Sequence, residues 1–302
     1  MMEVPHFPDF KPVEFSDREI IRERLWAFQP VTSELTFTNI FMWRTYYRFT
    51  WCMHGENLLI AGDVLNNPFG LQPAGRTSRV ESTRELLKWF QHNSGSARCT
   101  LERCDFSLAR ECSDRGGFII EETPEHFDYV YSSDKLIHLT GRAYHAKRNH
   151  IQQFTREHPF EYREIDVDLI GQCRELSDEW CRRRNCAGNE RLRAEWKAAR
   201  EALDHFEELE LTGGALLIDG VVEAFSAGEL LNEKTAVIHM EKASSKYHGL
   251  YTLINQRFSE HEWSSVPFIN REQDLGEPGL RKAKQSYFPE KMEKKYRISL
   301  AS

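Results

Sequence analysis

The chain has 302 residues, of which 40% are hydrophobic and 29% charged, and its 40 basic and 47 acidic side chains give a formal charge of −7. This length suits two domains of about 150 residues, and the hydrophobic fraction excludes an intrinsically disordered chain. The net negative charge excludes a polycation that coats nucleic acid, so an anionic partner would have to bind at a local basic patch.

The lack of a recognisable targeting signal and the cysteine pattern both favour a cytoplasmic location. The opening residues lack the apolar core of a signal peptide, and no apolar run approaches the ~20 residues of a membrane span. Seven cysteines without a CxxC pair argue against a disulfide framework and against a zinc site. We therefore expect a cytoplasmic protein with no metal and no tightly bound cofactor.

The first half of the chain, 1–135, has the less regular pattern. Its first part predicts a helix over 17–28, an aromatic segment (TFTNIFMWR), a hairpin turned at Gly55–Asn57 and a strand near 68–74. Its second part predicts a helix over 81–92, a strand near 97–102, a short helix near 106–113 and a strand pair in GGFIIEETPEHFDYVYS. This order is a looser version of the order in the second half. We interpret 1–135 as a degenerate copy of one module, although no sequence repeat accompanies the element order.

A basic turn follows in the segment RAYHAKRNHIQQFTRE, 142–157. Tyr144, Ile151 and Phe154 have the spacing of a buried helical stripe, and the adjacent residues Lys147, Arg148 and Asn149 crowd one turn. Two interpretations stay open: a solvated helix face, or a basic site for a phosphate or carboxylate at the boundary between the halves, where ligand sites are common.

The second half, 136–302, has the clearer pattern. It predicts a strand in FEYREID, helices over 169–184 and 192–206, two strands around the turn Asp219-Gly220, a strand in TAVIHMEKA, a helix from Leu250, a short strand in VPFINRE, a helix after Pro278 and a closing strand in KMEKKYRIS. The order β-α-α-β-β-β-α-β-α-β is that of the GCN5-related N-acyltransferase (GNAT) fold. We predict the α/β (α+β) class, with two tandem GNAT-like modules, 1–135 and 136–302, each a mixed, mostly antiparallel sheet flanked by helices.

The loop before the helix at Leu250 is the first candidate binding segment. Acyltransferases of this fold carry the pattern Gln/Arg-x-x-Gly-x-Gly/Ala there, because small residues let backbone N–H groups approach a pyrophosphate. Here Lys246 is basic and Gly249 is kept, so Lys246, Tyr247 and Gly249 are candidate binding residues. The last small residue is replaced by Tyr251, whose ring would crowd a pyrophosphate. This argues against an ordinary acetyl-CoA enzyme.

Four segments carry a family resemblance: FTNIFMWRTYY, YHAKRNHIQQF, KASSKYHGLYTLINQRF and FINREQDLGEPGLRKAKQSYFP. They resemble the phosphatidylglycerol lysyltransferase C-terminal (LPG synthase-like) family, a tandem of GNAT modules related to Fem-type aminoacyltransferases. The resemblance implies an enzyme that transfers an aminoacyl group from aminoacyl-tRNA, with tRNA as a partner and a small molecule, peptide or lipid headgroup as acceptor. The membrane enzymes carry a multi-helix flippase before this unit. None is present in this sequence, so the lipid acceptor is not carried over.

The strand in VPFINRE ends in a polar triplet, Asn270, Arg271 and Glu272. At the end of this strand side chains face the cleft where the two central strands diverge. Arg271 is suited to clamp a carboxylate or phosphate, and Glu272 to orient an α-ammonium group or to act as a base. The alternative is an ion pair between strands.

Further candidates lie on neighbouring elements. Lys284 and Tyr287 share one side of the helix after Pro278, where they would hold a tRNA acceptor end or form a solvated basic face. His239 and Glu241 lie among apolar residues, where an ionisable group is costly unless it is paired. A general base at His239 and a structural histidine both remain open.

Two other functions compete with aminoacyl transfer: an acyl-CoA-dependent N-acyltransferase, and a non-catalytic module that binds an anion at the Lys246 loop. The sequence leaves the donor amino acid, the acceptor and the oligomeric state open.

Overall fold

The computed structural model describes residues 4–94 and 99–301 and divides the chain into two compact units. Unit 1 comprises Met1–Asp128, Gln273–Pro278 and Met292–Ser302, and unit 2 comprises Tyr129–Glu272 and Gly279–Lys291. We predicted two continuous modules, 1–135 and 136–302, whereas each unit here is assembled from separate stretches of the chain. The start of the strand predicted near 97–102 lies outside the described residues.

The secondary structure of the first part of the chain follows the predicted order. The described elements are β1 (Lys11–Pro12), α1 (Arg18–Phe28), α2 (Phe37–Tyr47), β2 (Thr50–His54), β3 (Asn57–Val64), β4 (Asn67–Gly70), α3 (Arg79–Ser94), β5 (Thr100–Cys104), α4 (Phe106–Arg115), β6 (Phe118–Glu122), β7 (Asp128–Ser132) and α5 (Ser133–His138). The aromatic segment is therefore helix α2, and it begins where the hydroxyl of Thr36 accepts a hydrogen bond from the N–H of Asn39.

The remaining elements belong mostly to unit 2. They are α6 (His145–Glu157), β8 (Glu161–Glu164), α7 (Val167–Arg183), α8 (Glu190–Asp204), β9 (Thr212–Ile218), β10 (Val221–Asn232), β11 (Thr235–Ala243), α9 (Leu250–Glu262), β12 (Phe268–Asn270), α10 (Pro278–Gln285), β13 (Lys291–Glu293) and β14 (Tyr296–Leu300). Asp166 caps α7 and Asn189 caps α8, each through a side-chain oxygen that accepts from backbone N–H groups of the first turn.

The sheet of unit 1 has the strand order β1-β2-β3-β4-β5-β14-β6. Its sixth position is taken by β14, which runs antiparallel to both β5 and β6. We predicted one closing strand in KMEKKYRIS, but the segment forms β13 and β14, which belong to different sheets. The predicted strand pair in GGFIIEETPEHFDYVYS is also divided, since β6 pairs with β14 while β7 pairs with β12.

The sheet of unit 2 has the order β13-β7-β12-β11-β10-β9-β8. The hairpin of β9 and β10 turns at Asp219 and Gly220, whose φ angles of 51° and 80° are those of a type I′ turn. Strands β11 and β12 are parallel, and α9 provides the crossover between them. The predicted fold class is confirmed: two mixed sheets flanked by helices in a tandem GNAT-like arrangement.

Helix α9 is held on the sheet of unit 2 by its apolar face. Leu250, Leu253 and Ile254 are fully buried and pack with Leu216 and Phe154 in one hydrophobic cluster. Full burial of such side chains contributes about 1.5–3 kcal/mol each. This packing fixes the loop 244–249 at the carboxyl end of β11, where the candidate site begins.

Candidate active site

The two central parallel strands of unit 2 diverge after a short stretch of pairing. β12 pairs with β11 only from Thr235↔Phe268 to Val237↔Asn270. Beyond Val237, β11 continues to Ala243 and pairs with β10 alone. Among the residues that the structure describes, the other edge of this part of β11 has no strand partner, so the ladder between the two central strands ends there.

Arg271, the first residue after β12, bridges the divergence. Its Nη2 donates to Oε1 of Glu241 on β11 at 2.8 Å, and the side chains are 13% and 14% exposed. The Nδ2 of Asn255, on α9, lies 3.3 Å from the other carboxylate oxygen of Glu241. Two atoms of this cluster are buried without a hydrogen-bond partner among the described residues, Nη1 of Arg271 and Oδ1 of Asn255. A free donor and a free acceptor thus lie in one buried network, where unmade hydrogen bonds are costly.

Two tyrosine rings pack against the Arg271 guanidinium. Its central carbon lies 5.0 Å from the ring centroid of Tyr287 and 5.7 Å from that of Tyr131. Burial raises the pKa of both phenols. The rings therefore stay neutral and hold the guanidinium by cation–π contact.

A second polar cluster surrounds His239, whose side chain is fully buried on β11. Its Nε2 lies 2.9 Å from Glu229 and its Nδ1 lies 3.0 Å from Glu272. Burial by itself would lower the pKa of His239, but hydrogen bonds and charge interactions with the two carboxylates outweigh it and raise this pKa to about 9. At neutral pH the ring is an imidazolium that donates to both carboxylates.

The raised pKa predicts a pH dependence of stability for unit 2. Because the pKa rises from 6.5 on folding to about 9, the stabilisation is complete below pH 6.5 and is lost as the pH rises to about 9. A shift of this size corresponds to about 3 kcal/mol. A His239→Gln variant should therefore have a lower free energy of unfolding than the wild type at pH 6 and nearly the same one at pH 9.5. Urea unfolding, monitored by hydrogen exchange of amides in unit 2, measures this difference. A stability gap between the two proteins that does not change with pH would contradict the assignment.

Two other predicted residues, Asn270 and Lys284, make hydrogen bonds to the backbone at Arg271 and Glu272. The Oδ1 of the fully buried Asn270 accepts from the N–H of Glu272 at 2.8 Å, and Glu272 has a left-handed φ of 55°. The ammonium of Lys284, a residue only 9% exposed, donates to the backbone carbonyls of Arg271 and Glu272. Neither side chain is solvated, and both fix the conformation of the Arg271–Glu272 backbone.

The three residues of the basic turn on α6 have different surroundings. The Nη1 of Arg148 donates to two backbone carbonyls of the loop before α6. Asn149 lies 3.1 Å from a ring nitrogen of His145. Lys147 alone points toward the Arg271 cluster, with its Nζ 3.8 Å from the ring centroid of Tyr287.

The loop that binds pyrophosphate in acyl-CoA enzymes differs here in two respects: its glycine is closely packed by α6, and its basic side chain is paired with a carboxylate. Gly249 begins α9 in a left-handed conformation, and a Cβ atom there would lie 2.7 Å from the carbonyl oxygen of His150, so α6 packs closely on the loop. The ammonium of Lys246 is half exposed and lies 3.1 Å from the carboxylate of Glu223. Tyr247 packs edge-on against aromatic residues of α6 and the following turn.

A cavity of about 380 Å³ lies beside this loop. Side chains of α7, the first residues of β10 and Lys246 line it, with four carboxylates against two cations. It shares no lining residue with the Arg271 or the His239 cluster.

Sequence reasoning brought together Arg271, Glu272, His239 and Glu241 but missed three of their partners: Glu229, Asn255 and Tyr131. A signal for Asn255 was present, because it is a polar residue on the apolar face of α9. Glu229 and Tyr131 lie 43 residues or more from Glu272, and no local pattern connects them with it. In the described parts of the chain, no group of three or more His, Cys, Asp and Glu side chains could hold a metal ion, and no helix is long and apolar enough to cross a membrane.

Comparison with known proteins gives one family. The model of the family described as phosphatidylglycerol lysyltransferase, C-terminal, matches residues 27–299. A search of curated proteins gives no match.

Several solved structures are similar over nearly the full chain. A conserved protein of unknown function from Bacteroides thetaiotaomicron is 31% identical with a TM-score of 0.90, covering 97% of this chain and 99% of its own. The L-PGS structure from Bacillus licheniformis is 15% identical with a TM-score of 0.65, and the match covers 99% of this chain and 94% of the L-PGS chain. FemX is 8% identical with a TM-score of 0.56, covering 97% of each chain. The last two similarities concern the fold.

Proposed function

This chain belongs to the phosphatidylglycerol lysyltransferase C-terminal family, and from this premise we propose that unit 2 transfers an aminoacyl group from an aminoacyl-tRNA to an amine or hydroxyl acceptor. The observation that carries the proposal is the Nη1 of Arg271, a buried donor that has no hydrogen-bond partner among the described residues and lies at the divergence of β11 and β12. An acyl carbonyl at this place would supply the missing acceptor.

Arg271 is the residue to which we assign stabilisation of the reacting carbonyl. When a nucleophile attacks the ester, negative charge develops on the carbonyl oxygen, and a fixed donor in a dry site stabilises it. Glu241 and the two tyrosine rings keep the guanidinium in place, so little reorganisation is needed during the reaction. Glu241 is thus a positioning residue in this scheme.

Glu272 is the residue to which we assign the α-ammonium group of the donor. The carboxylate of Glu272 is 22% exposed at the edge of the His239 cluster, where an incoming cation can share it with the imidazolium. An ammonium group is the complementary ligand. His239 acts here as a positioning residue, because both ring nitrogens are engaged and its raised pKa makes it a poor base at neutral pH. Asn270, Lys284 and Tyr287 hold the segment that carries Arg271 and Glu272.

The loop before α9 favours an aminoacyl-tRNA over an acyl-CoA. Close packing of α6 at Gly249, the pairing of Lys246 with Glu223, and the exposed ring of Tyr251 at the helix start all reduce the space or charge available to a pyrophosphate. Lys246 remains our candidate contact for a donor phosphate, since its ammonium is half exposed. We assign Tyr247 and Gly249 to the shape of this loop.

The test is a transfer assay with radiolabelled charged tRNAs. We expect time-dependent movement of label from tRNA to one of three acceptor classes, namely small amines, peptides and vesicles that contain phosphatidylglycerol. Binding to charged tRNA should weaken with salt, as phosphate contacts require.

Three results would contradict the proposal. The first is the absence of any charged-tRNA binding at low salt. The second is a thermal shift with acetyl-CoA together with acyl transfer from it, which would support the acyl-CoA enzyme. The third is binding of anions without any transfer, which would indicate a non-catalytic module.

A further inference from the structure

Lys147 lies beside the reacting centre proposed above, in contact with the ring of Tyr287. We infer that Lys147 is the general base of this site and removes the proton from the acceptor nucleophile. The inference rests on the proposed transfer function and adds to it the residue that handles the proton.

The geometry separates Lys147 from the other basic side chains of its helix. Its Nζ has no hydrogen bond or ion pair with any described residue, and it lies 3.8 Å from the ring centroid of Tyr287. The guanidinium of Arg271 lies against the same ring, at 5.0 Å. The amine and the proposed oxyanion donor therefore share one aromatic surface, whereas Arg148 is engaged by backbone carbonyls.

The electrostatic surroundings keep this amine partly neutral. Burial lowers the pKa of Lys147 and the positive charge of Arg271 lowers it further, while the carboxylate of Glu241 opposes them, and the result is about 8. The other titratable groups that face it are the phenol of Tyr287 and the imidazole of His150, whose own pKa is lowered by its burial and by the charges of His248 and Lys147. A base with a pKa near the working pH is the most effective.

The carboxylates of the site are less suited to this task. Both oxygens of Glu241 accept hydrogen bonds, from Arg271 and Asn255, and Glu272 is paired with His239 and assigned above to the α-ammonium group of the donor. Lys147 has no such partner to lose when it takes a proton. An ordinary cation–π contact is the competing explanation of its position.

The proton transfer balances without any further reactant. The acceptor's N–H or O–H bond breaks as its lone pair attacks the ester carbonyl carbon, and the Lys147 amine takes the proton. Arg271 donates to the carbonyl oxygen of the tetrahedral intermediate. The C–O bond to the ribose then breaks, and the Lys147 ammonium returns the proton to the leaving ribose oxygen, which gives the amide or ester product and free tRNA.

The first arm of the test is independent of any activity. Trace acylation with acetic anhydride, resolved by residue with mass spectrometry, measures the pH at which each lysine becomes nucleophilic. We expect half-maximal reactivity of Lys147 near pH 8 and, at pH 7.5, faster modification than at the exposed Lys197. In an Arg271→Met variant the Lys147 titration should move to higher pH. A Lys147 that titrates like an ordinary lysine in both proteins would overturn the inference.

The second arm uses the transfer assay. A Lys147→Met variant should lose about 10²–10⁴-fold in kcat with little change in KM, and the rise of the wild-type rate through pH 8 should disappear. Lys147→Arg should not restore the rate, because a guanidinium stays protonated. Aminoethylation of Lys147→Cys should restore it, with identically treated wild type as the control for the seven natural cysteines.

The outcomes separate the two proposals. An active wild type and a Lys147→Met variant within a few-fold of it would overturn the general base and leave the transfer function standing. A wild type that transfers from no charged tRNA would overturn the transfer function and the base with it, whatever the labelling arm gives.

Discussion

Replacing Lys295 by methionine is expected to lower the free energy of unfolding of unit 1 by about 3–5 kcal/mol. Lys295, just before β14, is fully buried, and its ammonium lies 2.7 and 2.8 Å from the two carboxylate oxygens of Glu34 and 2.6 Å from Asp128. Methionine keeps the apolar volume but removes the ammonium that lies between two buried carboxylates, and only Arg103, 3.5 Å from Glu34, remains to offset their charge. Urea unfolding, with hydrogen exchange of the β14 amides to identify unit 1, measures the loss.

The next residue along the chain provides the control. Lys294 is 51% exposed and pairs with Glu122 at 2.8 Å, so Lys294→Met should cost at most about 1 kcal/mol. Equal losses in the two variants would contradict the assignment.

The loss at Lys295 should also depend on pH. Burial raises the pKa of Glu34, and the charge of Lys295 opposes this. Without Lys295 the carboxyl takes up a proton at higher pH, so the stability difference between the variant and the wild type should shrink as the pH falls.

Replacing Arg271 by lysine is expected to reduce aminoacyl transfer about 10²–10³-fold. Lysine keeps the positive charge, but its single ammonium cannot donate to Glu241 through one nitrogen and to the substrate through another, as the planar guanidinium can. The effect should fall on kcat, because the donor acts on charge that develops in the transition state. Steady-state rates with saturating charged tRNA measure it.

Arg257→Lys is the matched control. Arg257 lies on α9, is one-third exposed, and pairs with Glu260 at 2.6 Å within its own helix. We expect full activity from this variant and an unchanged melting temperature. An Arg271→Lys protein that keeps both its fold and its rate would remove Arg271 from the mechanism.

Local patterns were sufficient to predict most of the secondary structure. The apolar periodicity of α7, α8 and α9 and the Asp219-Gly220 turn each depend on residues within one element or one turn. The segment resemblances gave the family in the same way, since they consist of contiguous motifs. Arg271 and Glu272 were also predicted from a local feature, their position at the end of a short strand.

Two features required the tertiary structure because their causes are distant in sequence. The tail from Lys291 to Leu300 reads as one strand, yet β13 and β14 join different sheets, because the available strand edges are formed elsewhere in the chain. Lys295 reads as one of several basic residues in that tail, but its partners Glu34 and Asp128 are 261 and 167 residues away.

The same reason applies to the proposed base. In sequence, Lys147, Arg148 and Asn149 form one basic turn, and the sequence by itself determined only that the turn is helical and polar. Which of the three is solvated, which binds backbone carbonyls and which faces Arg271 was decided by the packing of α6 in unit 2. The net charge of −7 carries no such information, because the chemistry of an ionisable side chain depends on its burial and on the charges within a few ångströms of it.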